Sequence, residues 1–166
     1  MPLALDPETG CLPCPPALHE ATVDEVQATF VDGFPASGTR PAIWGAFEDH
    51  TAAWKRLLGA EAQEQWLNGS FVTDKQEPGD LDFAMCVALE KVHALASGQR
   101  EALDRLFSGA LHKWGGWLHA FAVPVAPEGT PEATMATAQR LVLLQLFGRA
   151  RPAEGGHEKG VVRIWA

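Results

Sequence analysis

The run Leu81 to Leu89, LDFAMCVAL, constrains the fold more than any other segment. A stretch this short and this apolar reads as a strand buried on both faces. Yet it carries Asp82, and Asp80 stands just ahead of it. Strand side chains alternate, so Asp80 and Asp82 point the same way, with Cα atoms about 6 to 7 Å apart. Two like charges at that separation in an apolar setting repel each other and lose solvation. A divalent cation relieves both penalties. Magnesium in particular takes one or two carboxylates together with substrate phosphates.

The rest of the chain can bury such a strand. With 166 residues, 46% of them hydrophobic, it is sized for one core. Pro2 to Pro16 is rich in proline and turn formers, so residues 1–19 are expected to be an extended arm and 20–166 a single domain. Thr22 can cap a short helix through Phe30, with Asp24 and Glu25 in its first turn. A Gly/Pro-rich loop from Asp32 to Pro41 precedes a second helix over Ala42 to Ala60. The spacing predicts a helix over Gly98 to Leu111, a strand over Trp117 to Val125, a helix over Pro131 to Phe147 and a closing strand over Val161 to Trp165.

Charge and cysteine content exclude several classes. Asp and Glu number 21 against 13 Lys and Arg, a net charge of -8, which argues against affinity gained by neutralising many phosphates over a broad surface. Three cysteines, Cys11, Cys14 and Cys86, do not describe the disulfide framework of a small secreted domain. Cys11 and Cys14 with His19 look like half a zinc site, but no second pair follows. Met1 to Gly10 lack the cationic start and apolar core of a signal peptide. The most apolar stretch, Leu141 to Phe147, is far below the roughly 18 residues of a membrane span, so a cytoplasmic protein is expected.

Upstream of the acids, Gly69 and Ser70 follow Trp66-Leu67-Asn68, and a polar stretch from Thr73 to Gly79 separates them from Asp80. Glycine allows a sharp turn and close approach of backbone N–H groups to a phosphate, and Ser70 adds a hydroxyl. Lys75 on the intervening loop could reach a triphosphate, although a solvated loop cation is the commoner role.

Gly69-Ser70 followed by Asp80-x-Asp82 among apolar residues resembles the signature of the DNA polymerase β-like nucleotidyltransferase superfamily. LPCPPALHEATVDEV near the start and HEKGVVRIW at the end are similar to segments of a small bacterial group within it. The resemblance implies an α+β fold, a mixed β-sheet flanked by helices like the polymerase β palm. It implies magnesium or manganese held by Asp80 and Asp82, and the phosphates of an NTP held at Gly69 and Ser70. It further implies transfer of a nucleotidyl group to a hydroxyl on an RNA end, a protein side chain or a small molecule, in a toxin–antitoxin or defence setting that would supply a protein partner.

Active relatives commonly place a third carboxylate on a neighbouring strand. The matching segment here, WLHAFAVPV from Trp117 to Val125, has no acid. It offers His119 as a candidate base, set by alternation on one face with Trp117 and Phe121. The rival expectation is a binding or partner module that keeps the fold and the nucleotide but not the catalysis.

Overall fold

The apolar run is strand β3 (Leu81–Ala88) of a five-stranded mixed sheet that also contains β1 (Leu18–Glu20), β2 (Glu64–Asn68), β4 (Leu118–Val125) and β5 (Val161–Trp165). The structure is a computed structural model and describes residues 3–59, 62–108, 116–150 and 155–166. His112, Trp114 and the end of the helix expected to reach Leu111 lie outside the described residues. The strand order is β1-β5-β2-β3-β4. β3 runs parallel to β4, β1 parallel to β5, and β2 antiparallel to both of its neighbours.

Helices cover both faces. On one side lie α1 (Val23–Gln27), α2 (Arg40–Leu58), α3 (Leu89–Ala94) and α4 (Ser97–Ser108), and on the other α5 (Pro131–Phe147). Alternation sorts the strands between the two cores. Leu67, Phe83, Met85, Ala120, Val162 and Ile164 pack with Phe30, Ile43, Phe47 and Trp54 from the first set of helices. Trp66, Ala84, Cys86, Val123 and Val161 pack with Phe147 beneath α5.

Local signals set the helix ends. Thr22 and Glu25 form a reciprocal capping box, 3.1 Å from Glu25 N to Thr22 Oγ1 and 2.8 Å from Thr22 N to Glu25 Oε2. The α-helical part stops at Gln27, earlier than expected, and continues as a wider turn over Ala28–Asp32. α2 begins at Arg40 rather than Ala42 because Pro41 fits the first helical turn. It ends at Leu58, with Gly59 left-handed at φ 56°.

The opening segment is drawn into the domain. Leu12 is buried in the main core, and Leu18–Glu20 adds a strand beside β5. Trp117 differs from its expected placement. It precedes β4 and packs against the α2 side of the sheet, whereas Phe121 packs on the α5 side, so the two do not share a face. Among the described residues no helix is long and apolar enough to cross a membrane.

Candidate functional site

Sheet register brings three polar side chains into one row. Asp82 on β3 is the partner of Asn68 on β2 and of His119 on β4. Asp82 lies on the α5 face, because its neighbours Leu81 and Phe83 belong to the opposite core. His119 Nδ1 is 3.2 Å from Asp82 Oδ1. An ionised carboxylate only accepts, so the imidazole Nδ1–H is the donor. The His119 ring leans on Phe121, with centroids 4.3 Å apart. Asn68 is 6% exposed, and its Oδ1 has no hydrogen-bond partner among the described residues.

β2 ends in the expected turn. Gly69 has φ 80° and ψ -167°, a region essentially closed to side-chain-bearing residues. A Cβ there would lie 2.9 Å from Asp82 Oδ2 and 3.2 Å from Asp82 N. The glycine therefore serves two ends, turning the chain and letting its backbone press against the Asp82 carboxylate. Ser70 then opens a short 3₁₀ turn, Ser70–Val72, whose exit is fixed by Thr73 Oγ1 donating to Ser70 O at 2.8 Å.

This corner opens into a cavity of about 410 Å³. Asn68, Gly69, Ser70 and Asp82 form its sheet side, with His119 and Phe121 from β4. Thr73, Asp74 and Lys75 come from the loop after the turn, Leu146 and Phe147 from the end of α5, Arg149 from just beyond it, and His157 and Lys159 from the segment before β5. The opening arm contributes Thr9 and Cys11. It is fastened to the loop by Asp74 N donating to Gly10 O at 2.9 Å. Lys159 is 6% exposed, and His157 Nε2 is buried with no hydrogen-bond partner among the described residues.

Cations outnumber acids on this wall. Lys75, Arg149 and Lys159 stand against Asp74 and Asp82. In a chain with net charge -8 this is a local reversal, and it suits an anionic ligand.

A buried arginine shapes the cavity from behind. Arg40, fully buried at the start of α2, donates from Nη1 to Phe30 O and Phe71 O, both at 2.7 Å, and from Nη2 to Thr73 O at 2.8 Å and Lys75 O at 2.6 Å. Burial pulls its guanidinium down to about 10, opposed by the nearby Glu77 and Asp74 carboxylates. Glu77 in turn accepts from Gly38 N and Thr39 N, each at 3.0 Å, and from Ser37 Oγ at 3.2 Å. These bonds, the Gly38 N–H first, hold its carboxyl below the usual range. Both ends of the Phe71-to-Glu77 loop are thus tied to the α2 N-terminus.

The expected site residues divide. Gly69, Ser70 and Asp82 meet in the cavity. Asp80 is half-buried one residue before β3 and is not part of the cavity wall. Lys75 is exposed, as expected of a solvated loop cation, and it also lines the cavity. Asn68, Arg149, His157, Lys159 and the positioning pair Arg40 and Glu77 were not legible as site residues. The one local hint was a cation placed beside glycine at Gly148-Arg149 and Lys159-Gly160.

Two residues of the candidate zinc half-site have settled places in the fold. Cys11 is buried in the cavity wall, and His19 Nε2 lies 2.8 Å from Pro13 O. Farther along the α5 face, Glu64 accepts from Trp66 Nε1 at 2.9 Å and pairs with Arg140. Beside it the Cys86 thiol is pushed up to about 12, chiefly by burial and then by Glu64. That cluster braces the sheet against α5 and lies outside the cavity.

No curated protein and no solved structure matches this chain. A family model does, that of a family of unknown function, DUF6932, over residues 7–165. The match takes in the arm, the glycine corner, the acidic strand and the closing strand, and the chain belongs to the DUF6932 family.

Proposed function

We propose that this protein has a nucleotidyltransferase-like fold, binds a nucleoside triphosphate with magnesium or manganese in the Gly69–Asp82 cavity, and transfers a nucleotidyl group to a hydroxyl acceptor. The observation that carries this reading is the contact between Gly69 and Asp82. A glycine in a conformation closed to other residues brings a backbone corner against a half-buried carboxylate, inside a cavity walled by Lys75, Arg149 and Lys159. Glycine corners of this kind suit phosphate, and the three cations balance much of a triphosphate's charge.

The donor set is compatible with a hard cation. Asp82 supplies a carboxylate, and the Asn68 Oδ1 beside it has no hydrogen-bond partner among the described residues. Among the described residues no three His, Cys, Asp or Glu side chains form a metal cage. Magnesium does not require one, since it completes its shell with phosphate oxygens and water. Asp82 and Asn68 would hold the ion, while Asp80, one residue before β3, lies outside the cavity wall. When bound, the ion would neutralise charge on the transferring phosphate.

The remaining chemistry belongs to the chain. Gly69 and Ser70 present backbone and hydroxyl donors to the terminal phosphates. Lys159, buried on the far wall, offers a cation whose charge is weakly screened. Arg40 fixes the loop that carries Lys75, so the phosphates meet a surface already in position. His119 lies hydrogen-bonded to Asp82 at the mouth, half-exposed, where an acceptor hydroxyl would approach.

A second reading is favoured by two observations. β4 carries no acid, where active relatives commonly place a third carboxylate on a neighbouring strand, and Asp80 stands outside the cavity wall. On that reading the cavity binds the nucleotide without transferring it.

Incubation with α-labelled NTPs, magnesium or manganese, and cell extract separates the two. Transfer of label that Asp80→Ala with Asp82→Ala abolishes supports the enzyme. Metal-dependent NTP binding without transfer supports the module. No NTP binding removes both.

A further inference from the structure

Phe121 and Leu146 belong to two cavities at once. They line the polar cavity, and they also line a groove of about 490 Å³ between the outer edge of β4 and α5, walled further by Val123, Val142 and Leu143. Among the described residues the groove is lined by no charged side chain, and its one polar side chain is Gln139. Val142 is 57% and Leu146 67% exposed. Contiguous exposed apolar patches, rather than single exposed side chains, mark binding surfaces.

Continuity with the phosphate-favouring cavity identifies the occupant. A ligand whose charged end lies among Lys75, Arg149 and Lys159 must extend past Phe121 to enter the groove, so it is anionic at one end and apolar at the other. The apolar end must fit beside the Phe121 ring, which already packs on His119 and edge-on to Phe147, and offer hydrogen-bonding atoms near Gln139. We infer that the groove is the nucleobase subsite of this protein, with the base against Phe121 and Leu146 and the Gln139 amide at its polar edge.

Stacking on an aromatic ring tolerates every base, because each has a π-face, whereas an amide with one donor and one acceptor side distinguishes among them. The inference rests on the proposed triphosphate reading and adds that recognition extends to the nucleoside. Bare polyphosphate is then a poor substitute for the nucleotide.

Calorimetric titration of the full chain with ATP and with inorganic tripolyphosphate, both with magnesium, tests it. ATP should bind about tenfold or more tightly than tripolyphosphate. Val142→Gln and Gln139→Ala, both at exposed positions, should narrow that gap while tripolyphosphate affinity stays the same. Phe121→Ala should narrow it furthest.

Equal affinity for the two probes, untouched by these variants, overturns the subsite and leaves the phosphate reading standing. Failure of both probes to bind overturns the two together. If Val142→Gln changes the sedimentation coefficient of the free protein and not the ATP to tripolyphosphate ratio, the groove belongs to a second copy of the chain, and the inference fails.

Discussion

His119 and Asp82 are register partners on the parallel strands β4 and β3, and their side chains meet at 3.2 Å between Nδ1 and Oδ1. The contact sits beside Gly69, whose backbone closes the other side of the same carboxylate. Asp82 is thereby confined by an imidazole and a glycine, and its freedom to rotate is small.

Gly69→Ala should cost about 1 to 3 kcal/mol of stability, because alanine cannot adopt φ 80° with ψ -167° without strain. The added methyl also meets Asp82. Urea denaturation gives the first effect, and loss of ATP affinity in the folded variant gives the second.

Arg40→Met should be more damaging. It leaves four backbone carbonyls without their shared donor, a loss on the order of 3 kcal/mol. Arg40→Lys should not restore the wild-type value, since an ammonium lacks the planar fork that reaches all four acceptors. Thermal unfolding of the three proteins checks the ranking.

Glu77 ties the loop to α2 through its ionised form. Its folded-state pKa lies below the ordinary 4.5, so the stability it contributes is present above that value and lost as pH falls through the lowered one. Glu77→Gln should therefore flatten the acid limb of the stability profile and leave a smaller difference between neutral and acidic pH. Denaturation midpoints across that range measure it.

Cys86 should resist alkylation. Its thiol, pushed up to about 12, stays protonated at mildly alkaline pH and is buried as well. Iodoacetamide followed by mass mapping should mark the half-buried Cys14 in the native protein and Cys86 only after denaturant.

Much of this architecture is legible in the sequence because it rests on local pattern. The β3 run announces itself by apolarity, Thr22 by its capping partner Glu25, and α5 by Pro131 at one end and Gly148 at the other. β1 escapes notice because three residues have no readable period and are held by pairing Leu18 with Val161 at the opposite end of the chain. Gly69, Ser70 and Asp82 could be found because their spacing is sequential. Asn68 and His119 flank Asp82 through register, which no single segment encodes. Arg40 and Glu77 act across the fold on backbone atoms, so their identity carries no local trace of the role. Lys159, Arg149 and His157 reach the cavity through the packing of the chain's last segments.

The anion wall gives a separate expectation. Lys159→Met should weaken ATP and tripolyphosphate alike, by about tenfold, because a cation in a poorly screened position acts on the phosphates and not on the base. Parallel titrations of the two probes measure it.

The central claim is that Asp82, beside the Gly69 corner, holds a divalent ion against a polyphosphate. Manganese provides the most direct test, through electron paramagnetic resonance of the free ion in titrations of protein with a non-hydrolysable ATP analogue. The wild-type chain should take up manganese with the nucleotide, and Asp82→Ala should weaken that uptake by about tenfold or more, or roughly 1.4 kcal/mol. Uptake unchanged in Asp82→Ala, or absent from the wild-type protein, would contradict the account.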